Sequence, residues 1–331
     1  MLMPVKRGQP TLQDVHIDQA LTQISVAQIQ DQSKFLFNKI APIIPVDKQS
    51  DKYWVFPKNE WLIDEARKRG DSEESAGGGY VLSQDSYFAD VWAYHKDLGS
   101  QVKANADAGL QLERGTTQFV TSKLLLRAEL QFINDFFKTG VWGTDRAGVA
   151  AGPTGTQFIQ WDQFTTSDPV TDIEQSKDYI ESVTGFEANT MVIGKAVWMK
   201  LKRHPVLRDQ IKYTSPNNVT IDLLKQLFEI ENIYIGRSIR ATNNRGGTPA
   251  YAYNYGKICW IGYVNPSPAP FTPSAMYSFG WTGVSGGLNV PIAIDSFDIR
   301  RLKTTRYEGE FAVDNKIVSA DMGVYMSAVV A

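Results

Sequence analysis

One cysteine, Cys259, stands in a chain of 331 residues, so no intrachain disulfide framework can form. It lies in the apolar run Ile258-Cys259-Trp260-Ile261-Gly262-Tyr263-Val264, which predicts a buried, inert thiol. Histidine is scarce as well. His16, His95 and His204 are scattered, and none pairs at ligand spacing with another histidine or with the cysteine. His204 precedes Pro205 at a helix end, where a cation would suit the dipole, so a structural role is expected of it. No run of about 18 apolar residues exists to cross a membrane. Met1 to Asp18 has no apolar core of the secretory-signal kind. Net charge is only -2, which excludes an overall electrostatic grip on nucleic acid but leaves room for a local patch. These absences predict a protein made in a reducing cytosol, with no membrane partner, metal or cofactor.

Catalytic signatures are equally thin. Gly283-Val284-Ser285-Gly286-Gly287 fits the G-x-S-x-G nucleophile elbow, which needs a strand before the serine, a helix after it and a later histidine. The residues after it read as strand, and all three histidines lie upstream, so a flexible turn is the better reading of Ser285. Gly77-Gly78-Gly79 lacks the lysine and the helix of a phosphate-cradling loop. Carboxylates are many, but no pair stands out as an acid/base couple. No enzyme activity is expected.

What is present is an ordinary globular composition, 43% hydrophobic and 21% charged, in a chain longer than one core usually serves. Two subdomains are expected. The most informative stretch runs from Ile43 to Leu98 without a helical period. Strand-like pieces (Lys52 to Phe56, Tyr80 to Leu82) flank a charged cluster, Asp64 to Glu74, and the bare Gly77-Gly78-Gly79. Tyr53, Trp54, Phe56, Trp61, Tyr80, Tyr87, Phe88 and Trp92 argue against disorder, which is poor in aromatics. A long two-stranded arm is predicted, and a lone hairpin needs another surface to lie on. That surface is assigned to a neighbouring copy. Trp54, Phe56, Trp61, Arg67, Lys68, Arg69, Glu73 and Glu74 are the candidate contact residues. The charges among them read equally as a solvated face or as a contact that sets register.

Elsewhere, residues 1 to about 17 read as an extended arm, followed by a helix over about 18 to 38 ended by Pro42 and Pro45. The clearest helix is predicted over about 116–139, capped by Thr116 or Thr117 and stopped by Gly140. Val120, Leu124, Ala128, Phe132 and Phe136 form one row and Leu126, Leu130, Ile133 and Phe137 a second, on a rod of roughly 36 Å. It is a central core helix, with or without a neighbour on part of its surface. Asp168-Pro169 starts a helix that Gly185 ends. A strand at Thr190 to Gly194, helices over about Lys195–Arg203 and Ile221–Phe228, and strands at Asn232–Ile235, Tyr251–Val264 and Ala275–Trp281 make this region mixed α/β. Asn243 to Gly247 is a turn. Phe311 to Val318 is expected to be a hairpin turning at Asp314-Asn315, and Tyr325 to Val330 a last strand.

The order of these parts resembles the major capsid protein family of tailed phages, whose fold is shared with herpesvirus capsid floors and encapsulin shells. "APIIPVDKQSDKYWVFPKNEW" and "YVLSQDSYFADVWAYHKDLGSQVKANAD" look like the outgoing and returning limbs of that family's extended loop. "TSKLLLRAELQFINDFF" resembles its spine helix, "ANTMVIGKAVWMKLKRHPVLRDQIKY" its axial domain, and "YEGEFAVDNKIVSADMGVYMSAVV" its closing β segment. The resemblance implies an α+β fold with an N-terminal arm (about 1–45), an extended loop (about 46–95), a peripheral domain (about 96–165 with 296–331) and an axial domain (about 166–295). It implies a head protein that assembles as hexamers and pentamers into an icosahedral shell around double-stranded DNA, in the virion, after assembly in the host cytoplasm. It further implies a separate scaffolding protein, a portal, a decoration or cement protein, and weak non-specific DNA contact. Lys58 and Lys68 lie in the loop, but no covalent crosslink is predicted. One sequence forming two kinds of ring needs hinges, and Gly77, Gly78, Gly79, Gly246 and Gly247 are the candidates. An encapsulin-like cage and, more remotely, a hydrolase built on Ser285 are the alternatives.

Overall fold

A computed structural model describes residues 30–55, 58–106, 111–211, 219–244, 246–268, 272–284, 292 and 294–331. In chain order the elements are α1 (Phe37–Ile40), β1 (Ile43–Val46), β2 (Ser50–Val55), α2 (Lys58–Leu62), β3 (Ser83–Phe88), β4 (Asp90–Gly99), α3 (Ser100–Ala104) and α4 (Leu112–Phe136). Then come β5 (Thr144–Val149), β6 (Phe158–Ile159), α5 (Pro169–Thr184), β7 (Thr190–Gly194), α6 (Lys195–Leu201), α7 (Pro205–Ile211), α8 (Ile221–Phe228) and β8 (Asn232–Gly236). The remainder is strand: β9 (Ile239–Ala241), β10 (Tyr251–Tyr253), β11 (Cys259–Gly262), β12 (Met276–Trp281), β13 (Ile294–Ile299), β14 (Thr304–Ile317) and β15 (Gly323–Ser327). Two sheets dominate this α+β fold. One runs β1-β12-β14-β13 with β4 on the other edge of β14; the second runs β6-β5-β15-β11-β7-β8. Two ribbons, β2-β3 and β9-β10, stand apart from both.

The predicted helix over 18–38 falls largely outside the described residues. From Gln30 onward the structure replaces it with a 3-10 turn at Gln32–Lys34 and the single turn α1. Phe35, Leu36, Phe37, Ile40 and Ala41 are buried there against α4, which explains their apolar spacing without a long helix. The anchor is Glu129, a fully buried carboxylate in the middle of α4. Its Oε2 accepts the backbone N–H groups of Leu36 and Phe37, both at 2.9 Å, and its Oε1 accepts the Ser238 hydroxyl at 3.2 Å. Burial raises the Glu129 carboxyl above its ordinary range despite these donors.

The long helix α4 starts earlier than the sequence suggests. Thr116 is buried rather than capping, and Gly115 lies inside the helix with open space around it. The Thr117 hydroxyl donates back to the Glu113 carbonyl, so a residue that signals a helix start is absorbed within the turn. The row Val120, Leu124, Ala128, Phe132, Phe136 is buried throughout against β14 and β4. Full burial of each phenylalanine contributes roughly 1.5–3 kcal/mol. The expected hairpin at Asp314-Asn315 is also corrected: β14 runs straight through, pairing with β4, β13 and β12. Both polar side chains have partners that remove their preference for a turn. Asp314 accepts the Phe88 N–H at 2.8 Å, while Asn315 accepts the Ser278 hydroxyl and donates to Asp135, each at 2.8 Å.

The six-stranded sheet is covered on both faces, so its strands read as unbroken apolar runs. Met191, Ile193, Cys259, Ile261, Val324 and Met326 pack under α5–α8, while Val192, Trp260 and Tyr325 join Phe136, Phe137 and Trp142 at the end of α4. Asp168 caps α5 through the N–H groups of Val170 and Thr171, and Gly185 ends it at φ +73°. Arg146 on β5 reaches Asp172 and Ser176, and Asp172 accepts the Trp161 indole N–H at 2.9 Å, clamping α5 to the sheet. α6 stops at Leu201, short of the expected Arg203, and Pro205 opens α7. His204 between them is fully buried, with Nε2 2.9 Å from the Ser167 hydroxyl, and burial lowers its pKa. It is a structural residue, but a neutral hydrogen-bonding one rather than the cation expected at a helix end. The Cys259 thiol is buried too, and desolvation pushes its pKa far up.

Candidate assembly surface

The long excursion forms the ribbon β2-β3, with Ser50 opposite Phe88 and Val55 opposite Ser83. Pleating gives it two unlike faces. Tyr53 and Tyr87 turn inward onto Phe279, with ring centroids 5.4 and 4.8 Å away. Tyr53 donates to Asp85 across the ribbon at 2.9 Å, and Tyr87 donates to the Lys48 carbonyl at 3.2 Å. Burial raises the Tyr53 hydroxyl, while the Ser86 N–H and then the Tyr53 hydroxyl lower Asp85. Trp54 and Phe88, on the outward face, are 58% and 56% exposed. The ribbon therefore has a root on its own body and a bare back.

Beyond the root every residue from 61 to 86 is exposed. Trp61 at the end of α2 meets Tyr80 on the returning limb, centroids 5.3 Å apart, which holds the two limbs together. Tyr80, Val81 and Leu82, expected to be strand, precede β3 instead. Lys58 forms an ion pair with Asp321, fastening α2 to the body. Trp54, Trp61, Arg67, Lys68, Arg69, Glu73 and Glu74 all lie on this one projection; Phe56 lies outside the described residues. Arg69 donates through Nε to the Glu73 carbonyl at 2.6 Å, and Glu73 accepts the Gly70 N–H at 3.0 Å, so the charged cluster makes its own tight turn. Gly77 and Gly79 have open space around them, whereas a side chain at Gly78 would collide with the Glu65 carboxylate. Gly246 and Gly247 are elsewhere, in the turn joining β9 to β10, where Gly246 takes φ +82°.

Sequence reasoning left Leu62, Ile63, Val81 and Leu82 out of the contact candidates, though it read Val81 and Leu82 as part of a strand; all four are exposed near Trp61 and Tyr80. It also missed the apolar face of β9-β10, where Ile239 sits opposite Tyr253 and Ala241 opposite Tyr251. The alternation Tyr251-Ala252-Tyr253 after a glycine turn was its signal. Ser285 lies outside the described residues. Among the described residues no group of three or more His, Cys, Asp or Glu side chains could hold a metal, and no helix is long and apolar enough to cross a membrane.

No protein-family model matches the chain. It is 28% identical over 242 residues to the major capsid protein of Burkholderia phage BcepMu, covering 72% of this chain and 74% of that one. Over most of its length the chain is similar to phage major capsid proteins. Solved structures share its fold. A phage-related protein from Bordetella bronchiseptica superimposes with a TM-score of 0.67 at 21% identity, covering 95% of this chain and 97% of its own. The capsid of cyanophage P-SCSP1u gives 0.57 at 9% identity, covering 91% and 89%.

Proposed function

We propose that this chain builds hexamers and pentamers that close into an icosahedral shell around double-stranded DNA, with the β2-β3 ribbon and its tip lying across adjacent copies. The observation that carries this is the exposure of residues 61 to 86 together with Trp61, Leu62, Ile63, Tyr80, Val81 and Leu82. Covering six such side chains fully is worth roughly 1.5–3 kcal/mol each, of which about half is already realised in the free subunit. The remaining gain, multiplied over many contacts per subunit, offsets the ordering cost of association. Interfaces of this obligate kind exceed about 2,000 Å².

In this reading the peripheral domain is the α4-braced five-stranded sheet and the axial domain carries the six-stranded sheet and its helices, which moves β5, β6 and β15 out of the expected peripheral range (about 96–165 with 296–331) and β12 out of the expected axial range (about 166–295). Gly77–Gly79 and Gly246-Gly247 are the flexible points that adapt one sequence to two rings. The subunit acts as a wall rather than as an enzyme, is assembled in the host cytoplasm with a separate scaffolding protein and a portal, and accepts a decoration protein outside. The name of the BcepMu relative favours a genome container over a cage for enzymes. Negative-stain microscopy with gel filtration tests the proposal. The intact chain is expected to form closed shells, and a variant with residues 63–79 replaced by a short Gly/Ser linker is expected to remain as folded, unassembled subunits. An intact chain that stays monomeric at high concentration, with slow amide exchange across 61–86, would overturn it.

A further inference from the structure

The chain's near-neutral charge hides a polarised one. Along β4, pleating places Trp92, Tyr94 and Lys96 on the side of α4, and Asp97 on the opposite side with its register partner Arg306. Glu308 and Glu310 of β14, opposite His95 and Ala93, fall on that far side too. On the near side α4 presents the exposed Arg114, Gln118, Lys123, Asn134 and, just past its end, Lys138, with Ser122, Arg127 and Gln131 half-buried between them. The acids of this helix are otherwise occupied. Glu113 is paired with Lys103, Glu129 is buried on the arm, and Asp135 accepts from Asn315.

Three of the cations are held on aromatic rings. The Arg127 guanidinium lies 3.7 Å from the Trp92 ring centroid, and the Lys96 and Lys123 ammonium groups lie 5.2 and 5.3 Å from that of Phe119. Among the described residues none of the three is in a salt bridge. Ring-stacked cations are positioned in advance; the Arg127 Nε is buried without a partner among the described residues, and guanidinium and ammonium groups of this kind suit phosphate oxygens. The helix spans about 37 Å at 1.5 Å per residue, close to one turn of B-form duplex, about 34–36 Å.

We propose that the α4 side of the subunit, centred on Lys96 of β4 and on Lys123 and Arg127 of α4, is the surface that meets the phosphate backbone of the enclosed duplex. This rests on the shell reading above and names the side of the subunit that faces the genome. Contact through so few cations is weak, independent of sequence and steeply salt-dependent, as suits a lining that must let DNA slide during filling.

The test is binding of unassembled subunits to a fluorescent 20-base-pair duplex of arbitrary sequence across a salt series. Wild type is expected to bind at low salt, with log affinity falling linearly against log salt. K96Q/K123Q should flatten that slope by about two and K96Q/K123Q/R127Q by about three, since each lost phosphate contact removes about one. R300Q/R301Q, on the exposed turn between β13 and β14, should leave it unchanged. The proposal is overturned if wild type does not bind at low salt, if K96Q/K123Q keeps the wild-type slope, or if R300Q/R301Q carries the loss. The double variant keeps the proposal testable should loss of the Arg127–Trp92 stack unfold the triple. Microscopy of the same proteins brought to assembly concentration separates the two readings: absence of wild-type shells there defeats the shell proposal whatever the duplex result. Double-variant subunits that bind duplex normally but form no shells would reassign the face to contact between copies.

Discussion

Removing the Glu129 carboxylate should release the arm while leaving the rest of the subunit folded. In Glu129→Leu the backbone N–H groups of Leu36 and Phe37 lose the carboxylate oxygen that accepts them inside a buried site, since both residues are nearly inaccessible. Each orphaned buried donor costs about 1–3 kcal/mol, so the pair predicts about 2–6 kcal/mol, lowered where the arm detaches and reaches water. Glu129→Gln keeps one oxygen for the two N–H groups and turns its amide toward the Ser238 hydroxyl, and should cost far less. The pH dependence gives a second signature. Because burial raises the Glu129 carboxyl above 4.5, the folded state holds its proton to higher pH than the unfolded chain does. This group's contribution is therefore most favourable below the ordinary carboxylate range and is lost as pH rises through the raised value. Glu129→Gln should remove that component. Urea unfolding of unassembled subunits at several pH values, with amide exchange read at Leu36 and Phe37, measures both effects. A Leu variant within about 0.5 kcal/mol of wild type, with those two amides still protected, would refute the anchoring argument.

Other consequences follow from equally local features. Asp97 accepts a two-pronged hydrogen bond from Arg306 at 2.8 and 3.0 Å, which holds its pKa below the usual range. Its stabilising effect should be complete above that range and fade as pH falls through the depressed value, and Arg306→Gln should abolish this acid-side loss in a pH series of thermal melts. Gly194→Ala would drive a methyl group to 2.1 Å from the Gly256 carbonyl oxygen, where backbone must move. A loss of about 1–3 kcal/mol is expected from overpacking, and an unshifted melt would contradict it. Cys259 should ignore a thiol reagent in the native subunit and react at once after denaturation; rapid native labelling would show that its strand opens.

Much of the fold was legible because local chemistry and tertiary context agreed. Asp168-Pro169 and Gly185 bracket α5 as their capping preferences dictate, and Thr190 to Gly194 is a strand that both layers bury. The failures share a cause. Thr116, Asp314 and Asn315 carry strong local signals, but burial of Thr116 and partners distant in sequence for the other two cancelled those preferences. His204 looked like a helix-end cation because proximity to a terminus is visible in sequence and complete burial is not. The candidate surface was legible as an aromatic-rich stretch without period, yet its aliphatic half, Leu62, Ile63, Val81 and Leu82, was not counted among the contact residues, since single aliphatic residues carry no exposure signal of their own. The α4 cations were equally silent: their common side emerges only when β4 and the helix are seen to share it.

The place of β15 in its sheet bears on the order of events during synthesis. This strand sits between β5 and β11, so β6-β5 on one side and β11-β7-β8 on the other have no direct ladder to each other. Until residues 323–327 are made, the two halves cannot be joined, and pairing over such separations in sequence is intrinsically slow. A nascent subunit thus has a nearly complete ribbon to offer before its body has closed. Late closure would delay lateral association until the subunit is whole, and pulse-labelled exchange should find β5 and β11 gaining protection together with β15 rather than before it.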